Sequence, residues 1–259
     1  MSAATAVADC RTMLGRNLLR LARYPSLTLT IIGMPVIFLL LFVYVLGGTL
    51  GAGLGGGREE YLAYVVPGIL IMTITAGAQG TSITVAMDMT EGIIARFRTM
   101  AVFRPSVLTG HVIASVVQML IGLVVVLGIA IALGYRPGAG PLDWLAVTGL
   151  LVLVAVAITW LSVACGLASP TVEAASNLPM PLILLPFLGS AFVPTGSMPI
   201  GLRWFAEYQP FTPIMEAVRA LLDGRSTGSD GPIAIAWCLL IAVLGFWWAR
   251  RLYAKDPIR

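Results

Sequence analysis

Charged residues are scarce in this sequence. Asp, Glu, Lys and Arg make up 11% of its 259 residues, whereas hydrophobic residues make up 58%. A soluble domain of this length is expected to carry about 25% charged residues. The shortage leaves too little polar surface for a protein that faces water, so composition predicts a polytopic membrane protein. The basic residues fall between and beyond apolar runs instead of forming one stripe, which argues against a nucleic-acid partner.

Several motifs of enzymes and cofactor-binding proteins are also missing. No GxxxxGK[ST] phosphate loop occurs, so this chain is not expected to bind or hydrolyse ATP. Residues 51–56 match GxGxxG but lack the flanking strand and helix of a dinucleotide site, and we interpret them as a flexible connection. No HExxH motif is present, and we interpret the single histidine, His111, as structural or interfacial. The hypothesis of a membrane-embedded enzyme therefore has no catalytic constellation to support it. No bound cofactor or metal is predicted for this chain.

The three cysteines are too few and too far apart for a familiar cysteine motif. Cys10, Cys165 and Cys238 form no CxxC pair, which argues against a zinc site and a disulfide framework. Cys165 and Cys238 lie within apolar runs. They are predicted to be small buried residues.

Six apolar segments approach the roughly 20 residues that cross a membrane. The fifth is short and interrupted by Pro179, Pro181 and Pro186. None contains Asp, Glu, Lys or Arg, which argues against an ion-coupled transporter. The first is too long for the apolar region of a cleavable signal peptide, so none is expected. The six predicted spans are 27–46, 61–87, 108–133, 144–167, 178–193 and 232–249.

The distribution of lysine and arginine predicts the orientation of these spans. Eleven of the 16 basic residues lie in the N-terminal segment, between the second and third spans, or in the C-terminal tail, and five lie on the opposite side. Both termini are therefore predicted to be cytoplasmic, which requires an even number of spans. The predicted fold is an all-α polytopic membrane protein with six transmembrane helices. It forms one domain, 1–259, with an N-terminal segment 1–26, a six-helix part 27–249 and a tail 250–259.

The connection between the fifth and sixth spans predicts two short amphipathic helices on the outer side. The first has apolar residues at helical spacing through 202–208. The second follows Pro213, turns Glu216 and Arg219 toward water and stops at Gly224. Re-entrant or interfacial helices fit this pattern. The alternative is a capping loop with no role in transport.

Uncharged polar residues enter the second and third spans. Small residues beside them permit close helix approach, and hydroxyl groups can bond across helices. Helix packing is the simpler interpretation for most of them. The alternative is that they border a path for an amphiphilic substrate, for which the two larger amides are favoured. The candidate substrate-path residues are Thr75, Gln79, Ser82 and Gln118.

Residues 90–104 predict a short basic helix on the cytoplasmic surface. Thr90 is an acceptable N-cap, and Glu91 lies in the first turn, where the helix dipole favours a carboxylate. Pro105 is predicted to end the helix near Arg104. Three arginines at the centre of a membrane helix would together cost roughly 8–10 kcal/mol, so this segment lies outside the bilayer. It either anchors to anionic lipid or docks a soluble partner.

The segment EGIIARFRTMAVFRPSVLTG resembles the cytoplasmic helix of ABC-2 type permeases, particularly the daunorubicin-resistance branch. It matches at Gly92, Arg96, Phe97, Arg98, Arg104, Val107, Leu108 and Gly110. The segment QPFTPIMEAVRALLDG is similar to the family's segment before the last span. It matches at Pro210, Thr212, Ala217, Arg219, Leu221 and Gly224. PTGSMPIGLRW resembles the outer segment after the fifth span. Gln209 stands where the family commonly has Asn, and His111 where an Arg often follows the Gly.

The resemblance implies a permease subunit of an ATP-driven exporter, with ATP and Mg bound by a separate ATP-binding subunit. Two permease subunits, identical or different, pair and alternate the access of a path between them. The implied ATPase-coupling residues are Glu91, Gly92, Arg96, Phe97, Arg98 and Arg104. The implied outer-gate residues are Pro194, Met198, Pro199, Pro210, Thr212 and Arg219.

The expected setting is the cytoplasmic membrane, with lipid around the helices and no nucleic acid. The expected cargo is hydrophobic or amphiphilic, such as a drug, a lipid or a polyketide. Two alternatives stay open: an ABC-2 exporter of an oligosaccharide or polymer, and a non-transporting membrane scaffold that binds lipid.

Overall fold

The structure, a computed structural model, describes residues 12, 14, 15, 19, 25–92 and 104–254. All regular elements within these residues are helical, and none is a strand. Five of the helices are long and apolar enough to cross a membrane. The chain is therefore a multi-pass membrane protein, as its composition predicts. The five are Ile31–Gly53, Arg58–Thr90, Leu108–Ala132, Pro141–Ala168 and Asp230–Ala254.

The first apolar stretch is built from three consecutive helical pieces. They are α1 (Pro25–Leu40), a π-helical segment (Leu41–Leu46) and α2 (Gly47–Gly53). The glycine-rich stretch predicted to be a flexible connection is therefore helical up to Gly53, and that prediction is wrong for its first residues. The chain then folds back closely on α2. The evidence is at Gly51, where a Cβ atom would lie 2.3 Å from the Gly57 carbonyl oxygen.

Three long helices follow and form the centre of the bundle. They are α3 (Arg58–Thr90), α4 (Arg104–Ala132) and α5 (Pro141–Ala168). α3 is the most enclosed of the five candidate spans. At the start of α5, Asp143 Oδ2 accepts a hydrogen bond from Gly140 N at 2.9 Å, so the carboxylate satisfies an otherwise free backbone donor.

The fifth predicted span does not form one helix. Residues 172–192, called the broken segment below, contain α6 (Val172–Asn177), α7 (Met180–Leu184) and a 3₁₀ turn (Leu185–Leu188). Its prolines lack backbone N–H donors and interrupt the helical hydrogen bonding, as the sequence predicts. The apolar helical part, Val172–Leu188, is shorter than the five candidate spans.

Two short helices and one long helix complete the chain. α8 (Ile200–Tyr208) and α9 (Phe211–Leu222) confirm the two predicted helices, and α10 (Asp230–Ala254) is the last candidate span. Gly224 has a φ of +67°, which suits glycine and directs the chain away from α9. Arg219 was predicted to face water, but it is only 7% exposed. That prediction is wrong because α9 contacts both α3 and the broken segment.

The bundle has two ends, named here after Arg58 and Thr90, the terminal residues of α3. Two contacts show that α5 and α10 run in the same direction. Near the Arg58 end, Gly149 of α5 and Gly231 of α10 line one crevice. Further along both helices, a Cβ atom on Gly245 of α10 would lie 2.7 Å from Leu161 N of α5. The broken segment must therefore return the chain from the Thr90 end to the Arg58 end.

The core is apolar along most of its length. A large cluster joins α3, α4, α5 and α9, and a smaller one lies toward the Thr90 end. Cys165 and Cys238 are 5% and 1% exposed, which confirms that they are buried.

Candidate transport site

Side chains from α3, α9 and the turn before α9 hydrogen-bond to the backbone of the broken segment. Non-helical backbone is tolerated at membrane depth only where other groups satisfy its polar atoms. These donors therefore stabilise the interruption. Ser82 donates to Ala175 O at 2.9 Å, Gln79 to Ser176 O at 2.7 Å, Gln209 to Leu185 O at 2.9 Å, Tyr64 to Ser190 O at 3.0 Å and Tyr61 to Phe192 O at 3.3 Å.

The broken segment runs antiparallel to α3. Its contacts begin at Ser82 and end at Tyr61, and this part of α3 is roughly 30 Å long at 1.5 Å per residue. The hydrocarbon core of a bilayer is also about 30 Å thick. The segment thus follows α3 over a distance that matches the membrane.

The four candidate substrate-path residues have different surroundings. Ser82 and Gln79 donate to the broken segment, and Gln79 also lines a cavity of about 160 Å³. Thr75 donates to Met72 O within its own helix at 3.0 Å. Gln118 is buried in α4, with 7% of its surface exposed. Packing between elements explains the bond of Ser82, whereas that of Thr75 stays within α3. Contact with a substrate stays a prediction for all four.

Arg219 joins three elements near the Arg58 end. Its Nη2 atom donates to Tyr64 O at 3.1 Å and to Ser190 O at 2.9 Å, and its Nη1 atom donates to Glu216. The guanidinium carbon lies 4.0 Å from the centroid of the Tyr64 ring. A planar guanidinium suits this task because it offers several donors in fixed directions. Arg219 therefore links α9 to α3 and to the end of the broken segment.

The charges of Asp223 and Arg219 act on the phenol of Tyr135. Burial, followed by the Asp223 carboxylate, raises the pKa of Tyr135 to about 12, and the positive charge of Arg219 opposes that shift. The phenol is therefore neutral at physiological pH.

The other predicted outer-gate residues lie around this cluster. Thr212 donates its hydroxyl to Ala206 O and so ties α9 to α8. The structure thus brings Thr212 and Arg219 against the end of the broken segment, while the remaining four occupy turns. Pro194 precedes the 3₁₀ turn Thr195–Ser197, Met198 follows it, Pro199 precedes α8 and Pro210 precedes α9. A gating role for the six residues stays a prediction.

Gly189 lies where the broken segment meets the start of α9. A Cβ atom there would lie 2.3 Å from Gln209 Nε2 and 2.7 Å from Thr212 Oγ1. We expect Gly189→Ala to lower the free energy of unfolding by about 1–3 kcal/mol, as overpacking of an interior commonly does. Titration of the purified protein with a denaturing detergent measures this change. Gly196→Ala is the matched control, because no described atom beyond its chain neighbours lies within 4 Å of its Cβ position. Equal effects of the two changes would contradict the expectation.

The predicted coupling helix lies partly outside the described residues. Glu91 is exposed after the end of α3, and Gly92 has a φ of +70°. Arg104 is the first residue of α4, and Arg96, Phe97 and Arg98 fall outside the described residues.

One boundary of that predicted helix is wrong. Thr90 is the last residue of α3, and its hydroxyl donates to Met87 O at 3.0 Å, so it is not an N-cap. Pro105 lies within α4, and the residues before Arg104 fall outside the described part of the chain, so the predicted end near Arg104 stays a prediction.

A buried pair at the Thr90 end was missed by the sequence analysis. His111 Nε2 lies 3.1 Å from Asp88 Oδ2, and the two side chains are 2% and 1% exposed. The predicted second span ends one residue before Asp88. In the structure α3 continues through Thr90, and Asp88 is buried. A structural role for the histidine stays a prediction. The spacing of the two residues in α3 and α4 gave no signal that they meet.

Buried charge-bearing side chains are confined to the two ends in the part of the chain that the structure describes. Asp88 and His111 lie near one end and Arg219 near the other. No group of three or more His, Cys, Asp or Glu residues there can hold a metal ion. The middle of the bundle therefore offers apolar groups, hydroxyls and amides.

Comparison with known proteins places the chain in a membrane transporter family. Residues 8–222 match the ABC-2 type transporter family, and the chain belongs to that family. Its membership makes it a transport subunit and not a catalytic one. Permeases of this family normally work with an ATP-binding subunit.

Two curated relatives are similar over most of their length. The daunorubicin resistance ABC transporter permease protein DrrB1 of Streptomyces coeruleorubidus is 27% identical over 225 residues, which cover 86% of this chain and 78% of the relative. The probable doxorubicin resistance ABC transporter permease protein DrrC of Mycobacterium tuberculosis is 24% identical over 237 residues, which cover 90% of this chain and 84% of the relative. The resemblance to drug-resistance permeases is confirmed.

Proposed function

We propose that this chain is the permease subunit of an ATP-driven exporter in the cytoplasmic membrane. The observation that carries this proposal is the match to the ABC-2 type transporter family over residues 8–222. The names of the two relatives favour a drug-like cargo. Within the described residues, the middle of the bundle interior carries apolar groups, hydroxyls and amides but no charge, which suits a hydrophobic or amphiphilic molecule.

The proposed topology has six crossings, with both termini in the cytoplasm. Five are the long helices, and the broken segment is the sixth, because it follows α3 for roughly 30 Å. The Thr90 end is then cytoplasmic and carries the basic residues around 93–104, in accordance with the positive-inside rule.

In this proposal a second permease subunit and separate ATP-binding subunits complete the exporter. The ATP-binding subunits, which hold ATP and Mg, dock at the Thr90 end through Glu91, Gly92, Arg96, Phe97, Arg98 and Arg104. Their closure moves the ends of α3 and α4, and the path alternates between the two sides of the membrane. Arg219 and Thr212 belong to the outer gate, since both contact the structure around the end of the broken segment.

Charge reversal of the basic segment tests the proposal. We expect Arg96→Glu/Arg98→Glu to weaken the complex with a co-expressed ATP-binding subunit by tenfold or more, since each reversal replaces an attraction of up to about 1 kcal/mol with a repulsion. Affinity purification of the co-expressed subunits and ATP-dependent efflux in cells measure the two consequences.

Arg203→Glu is the matched control, because this exposed arginine lies on α8 at the opposite end. An intact complex and undiminished efflux in the double variant would overturn the docking role. Loss of binding to anionic vesicles, with no ATPase complex in the wild type either, would favour the lipid-binding scaffold.

A further inference from the structure

The crevice near the Arg58 end lies between α5, α9 and α10. Its volume is about 360 Å³. None of its lining side chains is charged, and Thr227 is the only polar one among them. The crevice is therefore an apolar site with a single hydroxyl. α5 contributes Ala146, Gly149 and Leu153 to the lining, α9 contributes Leu221 and α10 contributes Ile235.

The crevice lies at the depth of one leaflet of the membrane. On α5 it extends from Ala146 to Leu153, which is roughly 10 Å at 1.5 Å per residue. This stretch falls within the first half of the candidate span Pro141–Ala168. The hydrocarbon of one leaflet is about 15 Å deep, half of the whole core. The crevice is therefore level with the acyl chains of the leaflet at the Arg58 end.

Exposed apolar side chains border the mouth of the crevice. Leu142 and Leu145 of α5 are 81% and 71% exposed, and they share a helix face with Ala146 and Gly149, four residues further on. Gly149 is itself exposed. Lipid tails are as apolar as leucine, so an exposed leucine on a membrane-spanning helix contacts hydrocarbon. The crevice thus opens sideways toward the lipid.

Hydrocarbon is the filling that this position favours. An empty crevice would deprive its lining of dispersion contacts. Water would find one hydroxyl among the lining side chains, whereas an ordered buried water typically makes two to four hydrogen bonds. An apolar cavity of about 150 Å³ holds benzene, so a volume of about 360 Å³ corresponds to roughly a dozen carbon atoms.

A helix of another protein does not fit into the crevice. A 10 Å length of α-helix with a diameter of 10 Å occupies roughly 800 Å³, which exceeds the available volume. A flexible hydrocarbon chain is narrower and adapts to the groove between the helices. An acyl chain of the surrounding lipid therefore matches the crevice in depth, polarity and volume.

We propose that this crevice binds one acyl chain of a membrane phospholipid from the leaflet at the Arg58 end. The inference does not depend on the proposed export function, because it requires only that the chain spans a membrane. The bound chain fills the space between α5, α9 and α10 and acts as a structural ligand.

The bound chain supports the helix that carries Arg219. Ala217 and Leu221 line the crevice from α9, whereas Arg219, between them in the sequence, donates to Tyr64 O and Ser190 O. Residues two apart point to opposite sides of a helix. The acyl chain therefore packs against one side of α9 while Arg219 holds the other side.

Photolabelling with a phospholipid tests the site on the purified permease in phosphatidylcholine nanodiscs, without an ATPase or a cargo. The probe is a phosphatidylcholine that carries a diazirine within one acyl chain. Illumination releases N₂ and leaves a carbene, which inserts into a nearby C–H bond, and mass spectrometry locates the attachment. We expect labelling of Leu221 in addition to the outer surface of the bundle. Leu221 is partly buried and lines the crevice, so a label there reports a chain inside it.

A variant that fills the crevice has a matched control. Gly149→Leu places a side chain in the crevice, and no described atom outside its own stretch of helix lies within 4 Å of its Cβ position. We expect it to lower the labelling of Leu221 about tenfold. Gly128→Leu should leave the labelling unchanged, because Gly128 of α4 is equally exposed and equally free of neighbours. Should Gly149→Leu fail to fold, Ala146→Leu fills the same crevice and decides.

Three results would overturn the proposal. Labelling confined to outward-facing residues, with none on α9, would mean that lipid only surrounds the bundle. Equal labelling of Leu221 in Gly149→Leu and Gly128→Leu would show that the crevice is not where the chain binds. A disulfide-linked dimer in Gly149→Cys that the wild type lacks, together with an unlabelled Leu221, would show that a second copy of this chain covers the crevice.

Discussion

Replacement of His111 with leucine is expected to lower the free energy of unfolding by about 3–5 kcal/mol. The side chains of His111 and Asp88 lie 3.1 Å apart and are almost completely buried, so the change removes a polar partner from a carboxylate that water cannot reach. Loss of one member of a buried pair commonly costs this much. Titration with a denaturing detergent, followed by circular dichroism, measures the difference.

The double variant Asp88→Leu/His111→Leu distinguishes pairing from general damage. Apolar replacement of both members of a buried pair is often neutral or stabilising. We therefore expect the double variant to be at least as stable as His111→Leu alone, although it carries one more substitution. Thr90→Leu, at an exposed position of the same end, is expected to change stability by less than about 0.5 kcal/mol. Additive losses in the double variant would show that the pair has no special role.

The pair matters for transport because of where it lies. α3 comes before residues 93–103 in the chain, and α4 comes after them. Asp88 of α3 and His111 of α4 bind the two helices to each other near these two helix ends. Under the proposed function, force from the ATPase reaches the membrane through these helix ends. We therefore expect the single variants to transport less per ATP hydrolysed as well as to unfold more readily.

Replacement of Arg219 with leucine is expected to abolish efflux and to lower the free energy of unfolding by about 3 kcal/mol. Its guanidinium donates to two backbone carbonyls, at Tyr64 and Ser190, in addition to Glu216. Hydrogen bonds made by charged groups contribute about 1.5–3 kcal/mol each, and both carbonyls lose this donor, while Ser190 O keeps the bond from the Tyr64 hydroxyl. Efflux assays and detergent titration measure the two effects.

Two further substitutions define the cause. Arg219→Lys keeps the charge but not the planar set of donors, so we expect it to recover only part of the lost stability. Arg203→Leu removes an exposed arginine whose pair with Glu207 is 51% and 39% exposed, and such surface pairs contribute about 0–1 kcal/mol. Full recovery with lysine would show that charge alone matters. Equal losses in the leucine variants of Arg203 and Arg219 would contradict the structural role.

The general architecture follows from short-range patterns in the sequence. Long apolar runs predict the five long helices, because crossing a bilayer sets their minimum length. The prolines at 179, 181 and 186 predict the interruption, since proline removes backbone donors wherever it occurs. Gly224 predicts the end of α9 for an equally local reason, its left-handed backbone conformation.

The contacts between distant segments could not be predicted in the same way. Helical periodicity places Arg219 on the polar side of an isolated helix, but α3 and the broken segment cover that side in the folded chain. Asp88 lay one residue beyond the predicted span, and nothing local shows that His111 faces it. Similarly, Gln79 and Ser82 were visible in the sequence, but the carbonyls that accept from these two side chains come from about a hundred residues away.

The hydrogen bonds that hold the broken segment also determine what happens when it moves. Its carbonyls at Ala175, Ser176, Leu185, Ser190 and Phe192 accept from side chains that belong to other elements. If the segment leaves α3 during transport, these oxygens lose their donors and the donors lose their acceptors. Water is the replacement that satisfies both. Under the proposed function, an open path beside α3 would therefore be hydrated along a polar line of backbone.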